Sequence, residues 1–313
     1  MVTIRQIYPG ATAAAPAIPR TSLQRWMRRR STIAFLMCLP LILIIAGLVI
    51  YPAFYAIYLS TLNKAQTKFL GLSNYVFLLH RDVFQMVVEQ SAIFAVSAVF
   101  FKAVIGLITA HLVNNLPAKG QRKWRGMLLV PWVMPPALST LAWWWLFDPT
   151  HSAFNWLLQG MGLGEVPWLA NPYWARFAVI LVNVWYGAPF FLIMYLAALK
   201  SVPEQLYEAA EIDGANAWQR FVYVTLPMMR NIIAITVLFS LIVTFANFDI
   251  VQVLTAGNPR DMTHVFATYA FVLGIRSGDI PLGAATSLFM FPILAVAAVF
   301  ILRGVRRRGR EIG

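Results

Sequence analysis

Long apolar runs alternate with short polar segments along most of the chain. A helix needs about 20 apolar residues to cross a bilayer. Six runs are long enough, and they cover residues 33–60, 90–113, 126–147, 176–199, 231–255 and 281–302. The pattern predicts an all-α integral membrane protein with six transmembrane helices. Pro40 and Pro52 lie inside the first run and predict kinks in it.

The positions of the basic residues predict the direction of these helices. If the N-terminus is cytoplasmic, eighteen Lys and Arg residues fall in inside segments and six in outside segments. Short cytoplasmic loops of membrane proteins carry such an excess. We therefore expect both termini in the cytoplasm. Residues 1–30 would be a disordered basic lead, 31–302 the transmembrane domain and 303–313 a basic tail.

Composition narrows the function further. Apolar and aromatic residues make up 60% of the chain and charged residues 12%, with a net charge of +13. The basic residues lie between apolar runs and not on a polar domain, which argues against nucleic-acid binding. The single cysteine (Cys38), the four scattered histidines and the lack of GxxxxGK[ST] and GxSxG motifs offer no catalytic or metal-binding set. We expect no enzyme activity and no cofactor in this chain.

The loop between the fourth and fifth runs, residues 203–227, is unusual because it is acidic. Pro203 stands where a helix can begin, the following turns are rich in Glu, and Gly214 can end the helix. A second amphipathic stretch follows and is expected to end at Leu226-Pro227, before the fifth span. Such a helix–Gly–helix unit on the cytoplasmic face could act as a lever on the two spans that it joins. The alternative is a surface connector with no partner.

The spacing in this loop resembles the EAA loop of binding-protein-dependent ABC permeases. Glu208-Ala209-Ala210 is followed after three residues by Gly214 and after nine more by Val224-x-Leu226-Pro227. Val224 replaces the usual Ile, and Asn231 stands where a second Pro often follows. Other segments resemble the carbohydrate-uptake branch, especially its maltose-type and glycerol-phosphate-type first permeases. They are Pro40, Tyr51-Pro52, Gly71–Tyr75, Pro131, Pro135-Pro136, Phe248-Asp249 and Leu254-Thr255.

The resemblance implies a set of partners in a bacterial inner membrane. A second, homologous permease would complete the pathway, a dimer of ATPase subunits would bind ATP and Mg²⁺, and an external solute-binding protein would deliver a sugar or sugar derivative. The chain would work by alternating access. The residues expected to couple it to the ATPase are Glu208, Ala209, Ala210, Asp213, Gly214, Leu226 and Pro227.

Polar and aromatic residues on the two runs that flank the loop form the predicted substrate site. On the fourth run they are Asn183, Tyr186, Gly187 and Phe190, and on the fifth they are Ser240, Thr244 and Asn247. Both sets recur at helical spacing, so each shares one face. Hydroxyl and amide groups beside an aromatic ring suit a sugar. The alternative is hydrogen bonding between packed helices.

The resemblance places a maltose-type site on the same face of these two runs. Asn183, Gly187, Ser240 and Asn247 keep the residue types expected there, whereas Phe190 and Thr244 depart from them. The exact sugar therefore stays open.

Two further features have alternative interpretations. Lys102 lies deep in the second run, where it could bind an anionic substrate, pair with the partner permease or extend toward an interface; we favour a structural role. Trp143-Trp144-Trp145 could stack on a sugar, but we favour an aromatic belt at headgroup level.

The rival functions are an amino-acid or peptide ABC permease, an ion-coupled transporter and a membrane-embedded enzyme. The carbohydrate-branch segments argue against the first. Too few acidic residues lie within the spans for the second, and no catalytic cluster is visible for the third.

Overall fold

The computed structural model describes the backbone of residues 30–309 and the side chains of residues 33–304. The predicted basic lead, apart from Arg30, and residues 310–313 of the predicted tail lie outside this range. Within the described residues the chain is helical, with no strand and only one isolated bridge, between Leu62 and Phe69. The all-α prediction is confirmed.

The chain divides after Tyr55 into two compact units. The helical run that begins the described chain contains α1 (Arg30–Ile45), a π turn (Ala46–Ile50) and α2 (Tyr51–Ser60). Pro40 lies inside α1 without ending it. The N–H of Tyr51 bonds to the carbonyl of Ala46, five residues earlier, so the wide turn falls directly before Pro52. A wider turn relieves the clash of a proline ring with the preceding turn.

The second unit, from Ala56 onward, contains the other helices. In chain order they are α3 (Ser73–Leu79), α4 (Asp82–Asn114), α5 (Ala118–Leu128), α6 (Val130–Val133), α7 (Pro136–Leu146), α8 (Ala153–Gly160), α9 (Pro172–Lys200), α10 (Glu204–Ile212), α11 (Ala217–Arg220), α12 (Leu226–Phe245), α13 (Asp249–Leu254), α14 (Phe266–Phe271), α15 (Ile280–Leu288) and α16 (Met290–Gly309). There are two more π turns in the described chain. The first, Phe221–Thr225, connects α11 to α12, and the second, Val272–Arg276, follows α14.

Five helical segments of the described chain are long and apolar enough to cross a membrane. They are Ile33–Ser60, Asp82–Asn114, Pro172–Lys200, Ala217–Phe245 and Ile280–Gly304. These segments overlap five of the six predicted runs. The prediction of a membrane-spanning protein is confirmed by them.

The predicted bounds of the third and fifth runs were wrong. Residues 126–147 do not form one helix, because the chain breaks around Leu129 and again at Met134-Pro135, giving α5, α6 and α7. The residue before a proline is disfavoured in helical conformation, and Met134 is extended with ψ 142°. The helix of the fifth run, α12, ends at Phe245, and α13 begins four residues later at Asp249.

Helices α4, α9 and α12 pack against one another and form the centre of the second unit. One buried apolar cluster between them includes Val99, Phe191, Tyr195 and Met229. Gly106 on α4 allows the close approach of α9, because a Cβ there would clash with Cβ of Phe191. Small residues permit such tight helix packing in membranes, where apolar burial alone gives little advantage.

Polar contacts join the ends of these helices. At one end, Lys200 Nζ donates to Gln121 Oε1 at 2.9 Å, which connects α9 to the basic helix α5. At the other end, Arg176 Nε donates to the Met262 carbonyl at 3.1 Å and its guanidinium lies 3.9 Å from Glu89. Two of the segments predicted to be inside, 114–125 and 200–230, are therefore in contact at one end, and residues at the predicted outside ends of three segments are in contact at the other.

Candidate functional site

The seven predicted substrate residues line one small cavity between α9 and α12. Its volume is about 70 Å³. The predicted residues in its wall are Asn183, Tyr186, Gly187 and Phe190 from α9, and Ser240, Thr244 and Asn247 from α12 and the turn after it. The remaining lining residues are Lys102, Trp132, Phe239 and Val243. The structure thus brings the whole predicted set together, while its role in binding stays a prediction.

Lys102 enters this cavity from the third wall, α4. Its Nζ donates to Asn183 Oδ1 at 2.9 Å and to Thr244 Oγ1 at 2.8 Å. The residue is 4% exposed, so its side chain does not extend to an interface. It joins the two helices on either side of the loop at 203–227. Lys102 therefore has the structural role that we favoured from the sequence. The alternative for the polar residues, hydrogen bonding between packed helices, is also realised at Oδ1 of Asn183 and Oγ1 of Thr244.

Gly187 makes room for the lysine. A Cβ at this position would lie 2.5 Å from Lys102 Cδ and 3.4 Å from its Nζ. Real Cβ atoms do not approach other atoms so closely, so the lysine stem can cross α9 only where the helix has no side chain. Gly187 therefore has a packing role that sequence spacing did not reveal.

Asn247 lies at the break between α12 and α13. Its side-chain oxygen accepts a hydrogen bond from the Ile250 N–H at 3.2 Å, in the first turn of α13. Side chains of this type satisfy the free N–H groups at the start of a helix. The break that shortened the predicted fifth span thus places the polar side chain of Asn247 beside the cavity.

Aromatic rings form the apolar side of the cavity. The ring centroid of Phe190 lies 5.6 Å from that of Trp132 and 5.2 Å from that of Phe239. Such rings suit stacking against the apolar face of a sugar. Sequence reasoning missed Trp132 and Phe239. Phe239, Val243 and Asn247 have i, i+4, i+8 spacing, and this pattern could have identified Phe239 as a lining residue. Trp132 could not be found in this way, because it lies in the third segment, which does not form one continuous helix.

Trp143, Trp144 and Trp145 do not line this cavity in the described chain. Trp143 packs in an aromatic cluster, with its ring centroid 5.6 Å from Phe147 and 5.5 Å from Trp185. Trp144 and Trp145 are 43% and 64% exposed. The belt interpretation of these two exposed rings stays a prediction.

The predicted helix–Gly–helix unit is formed by local interactions. Helix α10 ends in two hydrogen bonds, from Gly214 N to the Glu211 carbonyl at 3.0 Å and from Ala215 N to the Ala210 carbonyl at 2.9 Å. Gly214 adopts φ +77°, which favours glycine. This pair of bonds with a left-handed residue is the Schellman arrangement, and the predicted helix stop is confirmed.

The next helix begins immediately. The side chain of Asn216 accepts from the Gln219 N–H, and Gln219 Oε1 accepts from the Asn216 N–H. This reciprocal capping box fixes the direction in which α11 leaves the turn. Tyr207 Oη then lies 2.9 Å from Thr225 Oγ1, which holds α10 against the π turn.

The predicted end of the second stretch at Leu226-Pro227 was wrong. The helical path continues from Ala217 to Phe245 through this proline. The Leu226 N–H reaches back five residues to the Phe221 carbonyl, so a wide turn again precedes the proline and accommodates its ring. The loop is consequently joined to the fifth span by continuous helix.

Most of the predicted coupling residues in the loop at 203–227 are exposed to solvent. The predicted coupling residues Glu208, Ala209, Asp213, Gly214 and Pro227 are exposed, whereas Ala210 and Leu226 are half-buried. Two large apolar side chains beside them, Ile212 and Trp218, are 87% and 71% exposed. Within the part of the chain that the structure describes, no group of His, Cys, Asp or Glu is arranged to hold a metal ion.

A family model described as a binding-protein-dependent transport system inner membrane component matches residues 102–308. The chain belongs to this family. It is therefore an inner-membrane transport component and not an enzyme. The matched range includes Lys102, the helices α9 and α12 and the whole of the loop at 203–227.

Individual relatives of this permease match nearly its whole length. The trehalose/maltose transport system permease protein of Thermococcus litoralis is 31% identical, covering 90% of this chain and 96% of that protein. The sulfoquinovosyl glycerol transport system permease protein of Agrobacterium fabrum is 28% identical, covering 93% and 97%. The diacetylchitobiose uptake system permease protein of Streptomyces coelicolor is 30% identical, covering 80% and 79%.

Solved structures share its fold. A bacterial alginate ABC transporter, in complex with an alginate pentasaccharide-bound periplasmic protein, contains a chain that matches with a TM-score of 0.80 at 23% identity. The match covers 92% of this chain and 98% of that chain.

Proposed function

We propose that this chain is the permease subunit of an ATP-driven importer that moves a sugar or sugar derivative into the cell. The observation that carries the proposal is the position of the cavity. It lies between α9 and α12, which are the two helices joined by the exposed loop at 203–227. A push on the loop would therefore change the walls of the cavity. The transport systems named for the relatives above handle sugars, which supports the substrate class.

The loop would dock into the ATPase subunit. Its exposed surface combines acidic groups, including Glu208 and Asp213, with the apolar side chains of Ile212 and Trp218. Large exposed apolar side chains beside charges are typical of protein interaction sites. The partner ATPases would bind ATP and Mg²⁺ and close on one another during each cycle. Continuous helix from Ala217 to Phe245 would transmit that movement into the membrane.

The pathway would be shared with a second, homologous permease. Ligand sites commonly measure about 300 to 1,000 Å³, and the cavity in this chain is only about 70 Å³. A partner permease that faces the same helices would complete the site. An external binding protein would deliver the solute to the side on which α9 begins.

We further infer six crossings with both termini in the cytoplasm. Helices α5, α6 and α7 would together form the third crossing. Irregular backbone at membrane depth is tolerated where it lines a cavity or is buried in protein, and Trp132 of α6 lines the cavity. The contact of Lys200 with Gln121 supports one cytoplasmic end for α9 and the basic helix α5.

The first test is purification of the assembled complex. Tagged protein should retain an ATPase and a second permease, and its ATP hydrolysis should rise when loaded binding protein is added. Uptake driven by a proton gradient, in membranes that contain no associated ATPase, would overturn the proposal.

A matched pair of glycine variants tests the lever itself. Gly214 and Gly162 both follow a short helix in a Schellman arrangement, with φ +77° and +76°, and neither would meet an atom within 4 Å if given a Cβ. Alanine at either position should therefore lower the free energy of unfolding by about 1 to 2 kcal/mol through backbone strain alone. We expect Gly214→Ala to reduce substrate-stimulated ATP hydrolysis and uptake, whereas Gly162→Ala leaves both near wild type. Equal effects of the two variants would count against coupling through this loop.

A further inference from the structure

Among the residues that the structure describes, Lys102 is the only charged one in the wall of the cavity. The other lining residues are polar, aromatic or apolar, and no Asp or Glu lines the cavity in the described chain. The lysine is 4% exposed. A buried cation in a membrane protein is costly unless an opposite charge or several hydrogen bonds compensate it. A protonated Lys102 therefore has no opposite charge in the cavity wall of the described chain to compensate it.

The hydrogen bonds of the ammonium group leave one donor free. A protonated lysine has three N–H donors. Two are used by neutral acceptors, Oδ1 of Asn183 and Oγ1 of Thr244. The described chain gives Nζ no third acceptor and no ion pair. Neutral acceptors orient the ammonium group but do not cancel its charge.

The lysine is also held in this position. Its stem crosses α9 at Gly187, where an added Cβ would lie 2.5 Å from Lys102 Cδ. The head group is tethered to both α9 and α12. A lysine that served only to fill space could extend its ammonium group to the membrane surface. The ammonium group of Lys102 is instead held in the cavity, where a solute would pass.

We propose that Lys102 binds an acidic group of the transported solute, so that the substrate class is a sugar carrying a carboxylate, sulfonate or phosphate. The inference rests on the proposed importer function and adds the charge of its substrate. An anionic oxygen placed at the third N–H of Lys102 would complete its hydrogen bonding and cancel its charge. In surroundings of low dielectric such a pair discriminates strongly against a neutral sugar.

The test uses the whole transporter, with both permeases, the ATPase and the binding protein, reconstituted in liposomes. The probe is the ligand that copurifies with the cognate binding protein, released by denaturation and separated on an anion exchanger into neutral and acidic fractions. Each fraction is reloaded onto the binding protein, and ATP hydrolysis is measured. We expect the acidic fraction to stimulate hydrolysis and the neutral fraction to have no effect. Mass spectrometry of the acidic fraction then distinguishes carboxylate, sulfonate and phosphate.

Two substitutions separate the charge from the structural contacts. Lys102→Met keeps the shape of the stem, and Lys102→Gln also keeps an amide donor for Asn183 and Thr244. Loss of a buried charge partner typically costs several kcal/mol, so both should reduce the stimulation by about tenfold or more. Lys119→Met, the same change at an exposed site on α5, is the control and should behave as wild type.

Each other outcome is decisive. Stimulation by the neutral fraction, or full activity of Lys102→Gln with the acidic fraction, overturns the inference but leaves the importer function intact. Loss of the second permease from the purified Lys102→Met complex would show that Lys102 acts in assembly, and it overturns the inference too. If neither fraction stimulates the wild type, the proposed function fails with it.

Discussion

The loop at 203–227 and the polar cluster around Lys102 are constructed in opposite ways. In the loop, the hydrogen bonds that define the turn join near neighbours, such as Ala215 with Ala210, and the longest of them joins Tyr207 with Thr225. One ring contact, between Phe221 and His111, extends from the loop to α4. In the cluster, Lys102 bonds to residues 81 and 142 positions away. The loop is exposed and the cluster is buried.

Under the proposed function, the loop would be the part that moves and the cluster the part that responds to the movement. A unit held by its own local bonds can be displaced as a body, because few of its contacts extend to the rest of the chain. A cluster that joins three helices depends on their relative positions, so a shift of α9 against α12 would strain the hydrogen bonds of Lys102 to Asn183 and Thr244. Substitutions in the cluster should therefore affect stability more than substitutions in the loop.

The largest effect is expected for Gly187→Ala. The new methyl group would occupy the space of Lys102 Cδ, which is 2.5 Å away, and would displace an ammonium held by two hydrogen bonds. Overpacking of a buried site typically costs about 1 to 3 kcal/mol, and loss of both bonds puts this variant at the upper end. Thermal unfolding of the purified complex measures the change.

A double-mutant cycle checks the cause. In a Lys102→Ala background the clash is absent, so Gly187→Ala should then cost little. An equal cost in both backgrounds would show that the glycine is needed for another reason. Gly126→Ala, at a site where an added Cβ meets nothing within 4 Å, is the control.

Two threonines on α12 compare distant with local hydrogen bonding directly. Thr244 and Thr236 are 1% and 0% exposed, but Thr244 accepts from Lys102 whereas Thr236 donates to the Ile232 carbonyl of its own helix. Thr244→Val should lower the free energy of unfolding by about 2 kcal/mol, because a bond to a buried charge is lost. Thr236→Val should lower the free energy of unfolding clearly less. The Ile232 carbonyl belongs to the same helix, so it keeps its helical backbone hydrogen bond when the threonine hydroxyl is removed. Similar losses in chemical unfolding would contradict the comparison.

The smallest effect is expected for a tyrosine of the loop. Tyr207→Phe removes the contact with Thr225 and should cost about 1 kcal/mol. Tyr195→Phe is a matched change on α9, where the hydroxyl is buried without a partner in the described chain. Removing that hydroxyl should cost nothing or raise the unfolding temperature. A larger loss for Tyr195→Phe than for Tyr207→Phe would show that the assignment of these partners is incorrect.

Much of the fold and most of the candidate site could be predicted because their signals are local. Helical spacing grouped Asn183 with Gly187 and Ser240 with Asn247, and the position of Gly214 predicted the end of α10. The missed features are not local. Trp132 lies on the short helix α6 of the broken third segment, and its ring packs against that of Phe190, which is distant in sequence.

The sequence by itself determined the membrane-crossing helices, the helix–Gly–helix loop and the faces that bear the polar groups. These depend on bilayer length, on capping and on the 3.6-residue helical period, all of which act over a few neighbouring residues. Only the tertiary structure decided that Lys102 lies between Asn183 and Thr244, and that Gly187 is small to admit its stem. Those facts depend on how three helices, distant in sequence, pack around one buried charge, and no local pattern contains that information.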